Sequence, residues 1–118
     1  MDKTSRLITQ AAFDSLRKTK TRWVSKGFAM QAAPATFPSD KIGFCVIASK
    51  KTAKSAVERN RMRRRLKAVA LEILPRHAVS GQDYMIVARK EAATLEADAL
   101  KRDMIWCLKR LNLLKNGS

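Results

Sequence analysis

Residues 55–74 constrain the fold more than any other stretch, because they specify a helix with two incompatible faces. Ser55 stands three positions before Glu58, a capping-box pattern that satisfies the first free N–H groups of a helix. Met62, Leu66, Val69, Ala70 and Ile73 then recur with helical period, and the pattern predicts a helix ending at Leu74, before Pro75. At about 100° per residue, that stripe turns Arg61, Arg64, Arg65 and Lys67 away from the apolar side. Asn60 lies beside them, while Arg59 and Arg63 fall nearer the edges of the stripe. Such a helix must bury one side against an apolar layer and leave the other open.

The open side is cationic beyond the needs of solubility. Residues 50–67 hold nine basic residues, Lys50, Lys51, Lys54, Arg59, Arg61, Arg63, Arg64, Arg65 and Lys67, against Glu58 alone, so +8 of the chain's +15 lies in this segment. An ordinary solvated face interleaves acids that relieve the repulsion, and here they are almost absent. A polyanion is the expected partner. Arginine forks fit phosphate oxygens and stack on exposed bases. Charge alone leaves DNA, RNA and anionic membranes open. The aliphatic stripe lacks the bulky aromatics of an interfacial anchor, which disfavours lipid, and no helix-turn-helix or zinc pattern favours DNA.

The rest of the chain supplies the layer. Thr9 caps a predicted short helix over residues 9–20 with Ala12, Phe13 and Leu16 on one face. Phe28, Met30 and Ala32 alternate as a strand, and Pro34 to Asp40 is turn material with a further short strand near Ala35. Residues 42–48 read as a buried strand running into the basic segment. After a turn at Ser80 and Gly81, residues 83–89 read as a strand, and Thr94 opens a last helix with Leu100, Met104, Leu108 and Leu111 on one face. The order is roughly α-β-β-(β)-α-β-α, an α+β sandwich of helices on a mixed sheet of about four strands. The 118 residues make a single domain, with tails at 1–5 and 114–118.

Several classes are disfavoured. No apolar run is long enough to cross a bilayer, and the polar N-terminal residues show no export signal, so the expected location is the cytoplasm. Cys45 and Cys107 sit in apolar stretches and read as reduced core thiols. The lone histidine, His77, reads as a surface residue, and the carboxylates Glu58, Glu72, Glu96, Asp98 and Asp103 are dispersed along helices. No catalytic or metal-ligating constellation is expected from them.

The run Lys50-Lys51-Thr52-Ala53-Lys54-Ser55-Ala56-Val57-Glu58-Arg59-Asn60-Arg61-Met62-Arg63-Arg64-Arg65-Leu66-Lys67 resembles the signature of the bacterial ribonuclease P protein family, with Arg59-Asn60-Arg61 at its centre. The resemblance extends from about residue 6 to 111 and takes in Arg6-Leu7, Phe13, Lys41-Ile42-Gly43 and the strand at 83–90. It implies a small α+β subunit with a left-handed crossover that joins a catalytic RNA and assists Mg²⁺-dependent removal of the 5′ leader from precursor tRNA. The RNA, not the protein, would be the catalyst, and no DNA or membrane partner is implied. Carried over residue by residue, the family's RNA-facing helix falls on Arg59, Asn60, Arg61, Arg63 and Arg64, and Lys50, Lys51, Lys54, Arg65 and Lys67 extend the basic surface. The family's leader cleft, between the first helix and the sheet, falls on Phe13, Arg17, Phe28, Met30, Phe44 and Val46, whose rings would stack on bases. Where a second aromatic is common in the first helix, this chain has Leu16-Arg17. The alternatives are a general RNA-binding or ribosome-associated basic protein and, further off, a DNA-binding protein.

Overall fold

The computed structural model describes residues 4–6, 18–34, 42–79 and 81–115. In chain order these form β1 (Thr4–Arg6), β2 (Arg22–Val24), β3 (Phe28–Pro34), β4 (Ile42–Ile47), α1 (Ala56–His77), β5 (Gln82–Ala88), a 3₁₀ turn (Lys90–Ala93) and α2 (Ala97–Arg110). The strands make one mixed sheet in the order β1-β4-β5-β3-β2. β4 is parallel to both β1 and β5, and β3 is antiparallel to both β5 and β2. Helix α1 is therefore the crossover between the adjacent parallel strands β4 and β5, a connection that antiparallel neighbours would not need.

The sheet has five strands where about four were expected. The additions are the three-residue edge strands β1 and β2, too short to show a period of their own. Thr4 and Ser5, assigned to a tail, belong to β1, held by parallel pairing with Ile42 and Gly43. At the other end, Leu114 bridges Ala78 and the Lys115 N–H donates to the His77 carbonyl at 2.6 Å, so the start of the second tail closes the end of α1. Most of the expected first helix, with Phe13 and Arg17, lies outside the described residues, as does the strand near Ala35; of its last three positions Lys18 is helical, and residues 19–20, expected to continue the helix, are not.

Side-chain alternation divides the sheet into two faces. Phe28, Met30 and Ala32 of β3, Ile42 and Phe44 of β4, and Tyr84, Ile86 and Ala88 of β5 point to one side. There they meet Met62, Leu66, Val69, Ala70, Ile73 and Leu74 of α1 and Leu100, Met104, Cys107 and Leu108 of α2. Fully burying a side chain such as Leu66 or Leu74 is worth about 1.5–3 kcal/mol, so the apolar stripe of α1 is what fixes the helix to the sheet. The opposite face presents Ala29 and Ala33 of β3, Cys45 and Ile47 of β4, and Met85 and Val87 of β5.

Two local features set how the layers meet. Ser25 closes the β2–β3 turn, its N–H and hydroxyl both donating to the Phe28 carbonyl, at 2.8 and 2.7 Å. Within that turn a Cβ on Gly27 would lie 2.7 Å from Leu100 Cδ2 and 3.0 Å from Leu95 Cδ1, so glycine here lets α2 approach the sheet. Helix α1 also runs past its expected stop. Pro75 lies inside the last turn, beside the exposed side of the helix at Leu71, and the helix ends only when the Ala78 N–H donates to Leu74 O. His77, expected on the surface, is half-buried by the returning C-terminal segment, and its Nδ1 is buried without a hydrogen-bond partner.

Candidate nucleic-acid interface

The basic segment is held as a rigid platform rather than a loose arm. Ser55 caps α1 through its Oγ, which accepts from the Glu58 N–H at 3.4 Å. The preceding loop is folded on itself: Thr52 N–H donates to the Ser49 carbonyl at 3.1 Å, Ala53 N–H to the same carbonyl at 3.2 Å, and Ala53 is buried. Thr52 Oγ1 also reaches Ala88 O of β5 at 3.4 Å. Lys50, Lys51 and Lys54 are exposed on this ordered turn, so their charges are presented without the full entropy cost of ordering a free loop.

The cations of α1 divide by direction. Asn60, Arg61, Arg64 and Lys67 are exposed, as predicted from the helical period. Arg59 is half-buried and its Nη1 donates to Ala53 O and Lys54 O, both at 2.8 Å, pinning the loop to the helix. Arg65 departs from its expected outward direction. Its Nη1 donates to Ala92 O at 2.6 Å and its Nη2 to Leu95 O, which joins α1 to the 3₁₀ turn and the approach to α2. The helical period places Arg65 outward only if nothing stands there, and the segment between β5 and α2 does.

Asn60, Arg63, Arg64 and Lys67 line one side of a groove of about 470 Å³ whose apolar floor is Phe44, Val46 and Val57. Arg63 Nη2 donates to Asn60 Oδ1, which fixes both side chains at the rim. Val57 is 76% exposed, an apolar contact left among cations. Arg61 lies on the other flank of α1, beside Glu58, Thr94 and Glu96. The triplet Arg59-Asn60-Arg61 thus points three ways: to the loop, to the groove, and to the acidic flank. Farther along α1 the charge is balanced, since Glu72 accepts from Lys101 of α2 at 2.7 Å, and that contact holds the Glu72 carboxyl below its usual range.

The leader-cleft candidates need correction. Phe28 and Met30 are fully buried and Phe44 nearly so, all on the face covered by α1 and α2, where no base can stack on them. The alternation is present, but a period of two does not say which face is the covered one. Val46 is half-buried and, with the edge of Phe44, belongs to the groove beside α1. The residues that sequence reasoning missed are on the opposite face, where Gln31, Cys45, Ile47 and Val87 are half-buried. Cross-strand register aligns Gln31 with Met85 and Met85 with Cys45, so they form one row.

The comparisons with known proteins fall on this architecture. The ribonuclease P family model matches residues 1–112. This chain belongs to the ribonuclease P protein family. A relative from Paramagnetospirillum magneticum, a ribonuclease P protein component, is 36% identical over 115 residues, covering 93% of this chain and 84% of its own length. A second, from Lactobacillus gasseri, is 27% identical over 117 residues, covering 98% and 93%. Among solved structures, the ribonuclease P protein of Staphylococcus aureus superposes with a TM-score of 0.68 at 20% identity, covering 93% of this chain and 97% of that one. That of Thermotoga maritima gives 0.71 at 15% identity, covering 90% and 96%. These two show that the fold is shared. As a ribonuclease P protein component, the chain works in tRNA processing as part of a ribonucleoprotein.

Among the described residues, no three of His, Cys, Asp and Glu come together as a metal would require. The groove rim is cationic and its floor apolar, a donor set that repels a metal ion and attracts phosphate. No helix of the described residues is long and apolar enough to cross a membrane.

Proposed function

We propose that this protein binds the catalytic RNA of ribonuclease P through the exposed cations of α1 and its preceding loop, and assists Mg²⁺-dependent removal of the 5′ leader from precursor tRNA. The observation that carries the reading is the groove in which Asn60, Arg63, Arg64 and Lys67 rim an apolar floor. Such a groove takes the RNA backbone on its rim and a sugar or base edge on Val57 and Val46. Lys50, Lys51 and Lys54 extend the phosphate contacts, and the Mg²⁺ ions are held by RNA. The protein's part is to neutralise phosphates and to position the substrate; its side chains do no chemistry on the scissile bond.

The leader contact is assigned to the sheet face away from α1, with Gln31, Cys45, Ile47 and Val87 in place of the buried aromatics. The cytoplasm is the compartment where such a partner would be met. The test is cleavage of a precursor tRNA at low Mg²⁺ by a bacterial ribonuclease P RNA with and without this protein. Restored cleavage at the mature 5′ end, with nothing cut by protein alone, supports the reading. No gain with a matched RNA would overturn it and leave a general RNA-binding protein.

A further inference from the structure

A second aromatic and basic surface lies across the molecule from the groove. Trp106 on α2 is 47% exposed, and Trp23 of β2 packs at the margin of the core. The Arg110 guanidinium lies over both indoles, 4.8 Å from the Trp23 ring centre and 5.6 Å from that of Trp106, and Lys109 Nζ lies 5.8 Å from Trp106. Arg102, Trp106 and Arg110 follow one another at i, i+4 spacing on the outer side of α2, and all three are exposed, as is Lys109. Lys101 of the same helix pairs with Glu72 and Asp98, whereas among the described residues no carboxylate pairs with Lys109, Arg110 or Arg102.

Trp106 lies outside the buried core, and it does not stand singly on the surface: Trp23, Lys109 and Arg110 gather about it in one aromatic and cationic patch. Seating Arg110 over both rings holds Trp106 in one orientation and leaves guanidinium N–H groups available at its edge. Three strand spacings, about 14 Å, separate β2 from β4 in the sheet order, so this surface is not part of the groove beside α1.

We propose that Trp106, Arg110 and Lys109 form a further RNA-binding site, separate from the groove and from the sheet face assigned to the leader, which takes an unpaired base on the Trp106 indole and its adjoining phosphate on Arg110 and Lys109. The choice of RNA over a protein partner follows from the sign of the charge and from the pairing of a planar apolar face with unpaired cations, the combination that binds single strands without sequence preference. The proposal rests on the protein being an RNA binder, but not on the assignment of the groove.

Trp23 and Trp106 are the only tryptophans of the chain, so intrinsic indole emission reports on this surface alone. Titration of the full-length protein with a short unstructured RNA should quench that emission. Trp106→Ala should weaken binding of the oligonucleotide by roughly tenfold, and Arg110→Ala by several-fold, with the thermal transition of Trp106→Ala unchanged. Arg64→Ala, in the groove, should leave the quenching of wild-type tryptophans in place. Adding ribonuclease P RNA alone, and then precursor tRNA with and without a leader, tells which RNA supplies the base. Saturable binding of every RNA with no change in emission, or full affinity in both Trp106→Ala and Arg110→Ala, overturns the proposal. An emission change that depends on protein concentration without RNA also overturns it, in favour of self-association. Loss of precursor cleavage in groove variants with quenching intact would separate this site from the assembly function.

Discussion

Arg64 and Arg65 are neighbours in sequence and identical in chemistry, yet the structure predicts opposite consequences for their removal. Arg65 makes two charge-assisted hydrogen bonds, to Ala92 O and Leu95 O, and both carbonyls belong to the segment that seats α2. Hydrogen bonds to a charged group contribute about 1.5–3 kcal/mol each, but Arg65 is half-buried and water replaces part of the loss. Arg65→Ala should therefore cost about 2–3 kcal/mol, a fall of roughly 10 °C in Tm for a domain of this size. Arg64 is exposed at the groove rim, and its loss should leave Tm within about 2 °C. Its effect should appear instead in RNA binding, where removing one phosphate contact lowers the slope of log K against log salt by about 0.7–0.9. Thermal melts and a salt titration of binding to ribonuclease P RNA measure both quantities on the same two variants. The reasoning fails if Arg65→Ala melts like the parent and lowers the salt slope, or if Arg64→Ala lowers Tm and leaves the slope alone.

Three further outcomes follow from the same geometry. Gly27→Ala puts a methyl into the side chains of Leu100 and Leu95, and because both can shift only within a packed layer it should cost about 1–2 kcal/mol in chemical denaturation. Burial pushes the Cys107 thiol up to about 11 and raises the Tyr84 hydroxyl as well, so the folded chain resists ionising both. Their contribution to stability is present below the ordinary thiol range, near pH 9, and is lost as pH rises towards 11, which denaturant midpoints across that interval would register. A thiol reagent at neutral pH should modify Cys45, half-buried on the sheet face away from α1, well before the buried Cys107, and a bound leader should slow the Cys45 reaction; equal rates at both sulfurs would contradict the assigned faces.

Much of this arrangement was legible from residues alone, for reasons that differ by element. Helix α1 announced itself because cap and stripe agree, and the buried residues Met62, Leu66, Val69, Ala70 and Ile73 are those the period selects. Strands β3, β4 and β5 were visible as alternating or apolar runs. What failed was whatever depended on a partner far along the chain. Phe28 and Met30 share a face, but only the placement of α1 and α2 makes that face the interior. Arg65 looks like any other outward cation until the carbonyls of Ala92 and Leu95, roughly thirty residues later, are brought beside it. Pro75 reads as a stop because it cannot donate to the carbonyl four residues back, yet the helix loses only that one bond and runs on to His77.

The division of Arg59-Asn60-Arg61 among three neighbours bears on what such a triplet means energetically. Arg59 contacts the loop, Asn60 contacts Arg63 at the groove, and Arg61 stands on the opposite flank, so the three share no partner. Effects of changing residues without common contacts add, whereas residues joined directly couple. The contiguous triplet is then three independent terms in the free energy, and the unit that behaves as one is Asn60 with Arg63, a pair that the order of the letters conceals.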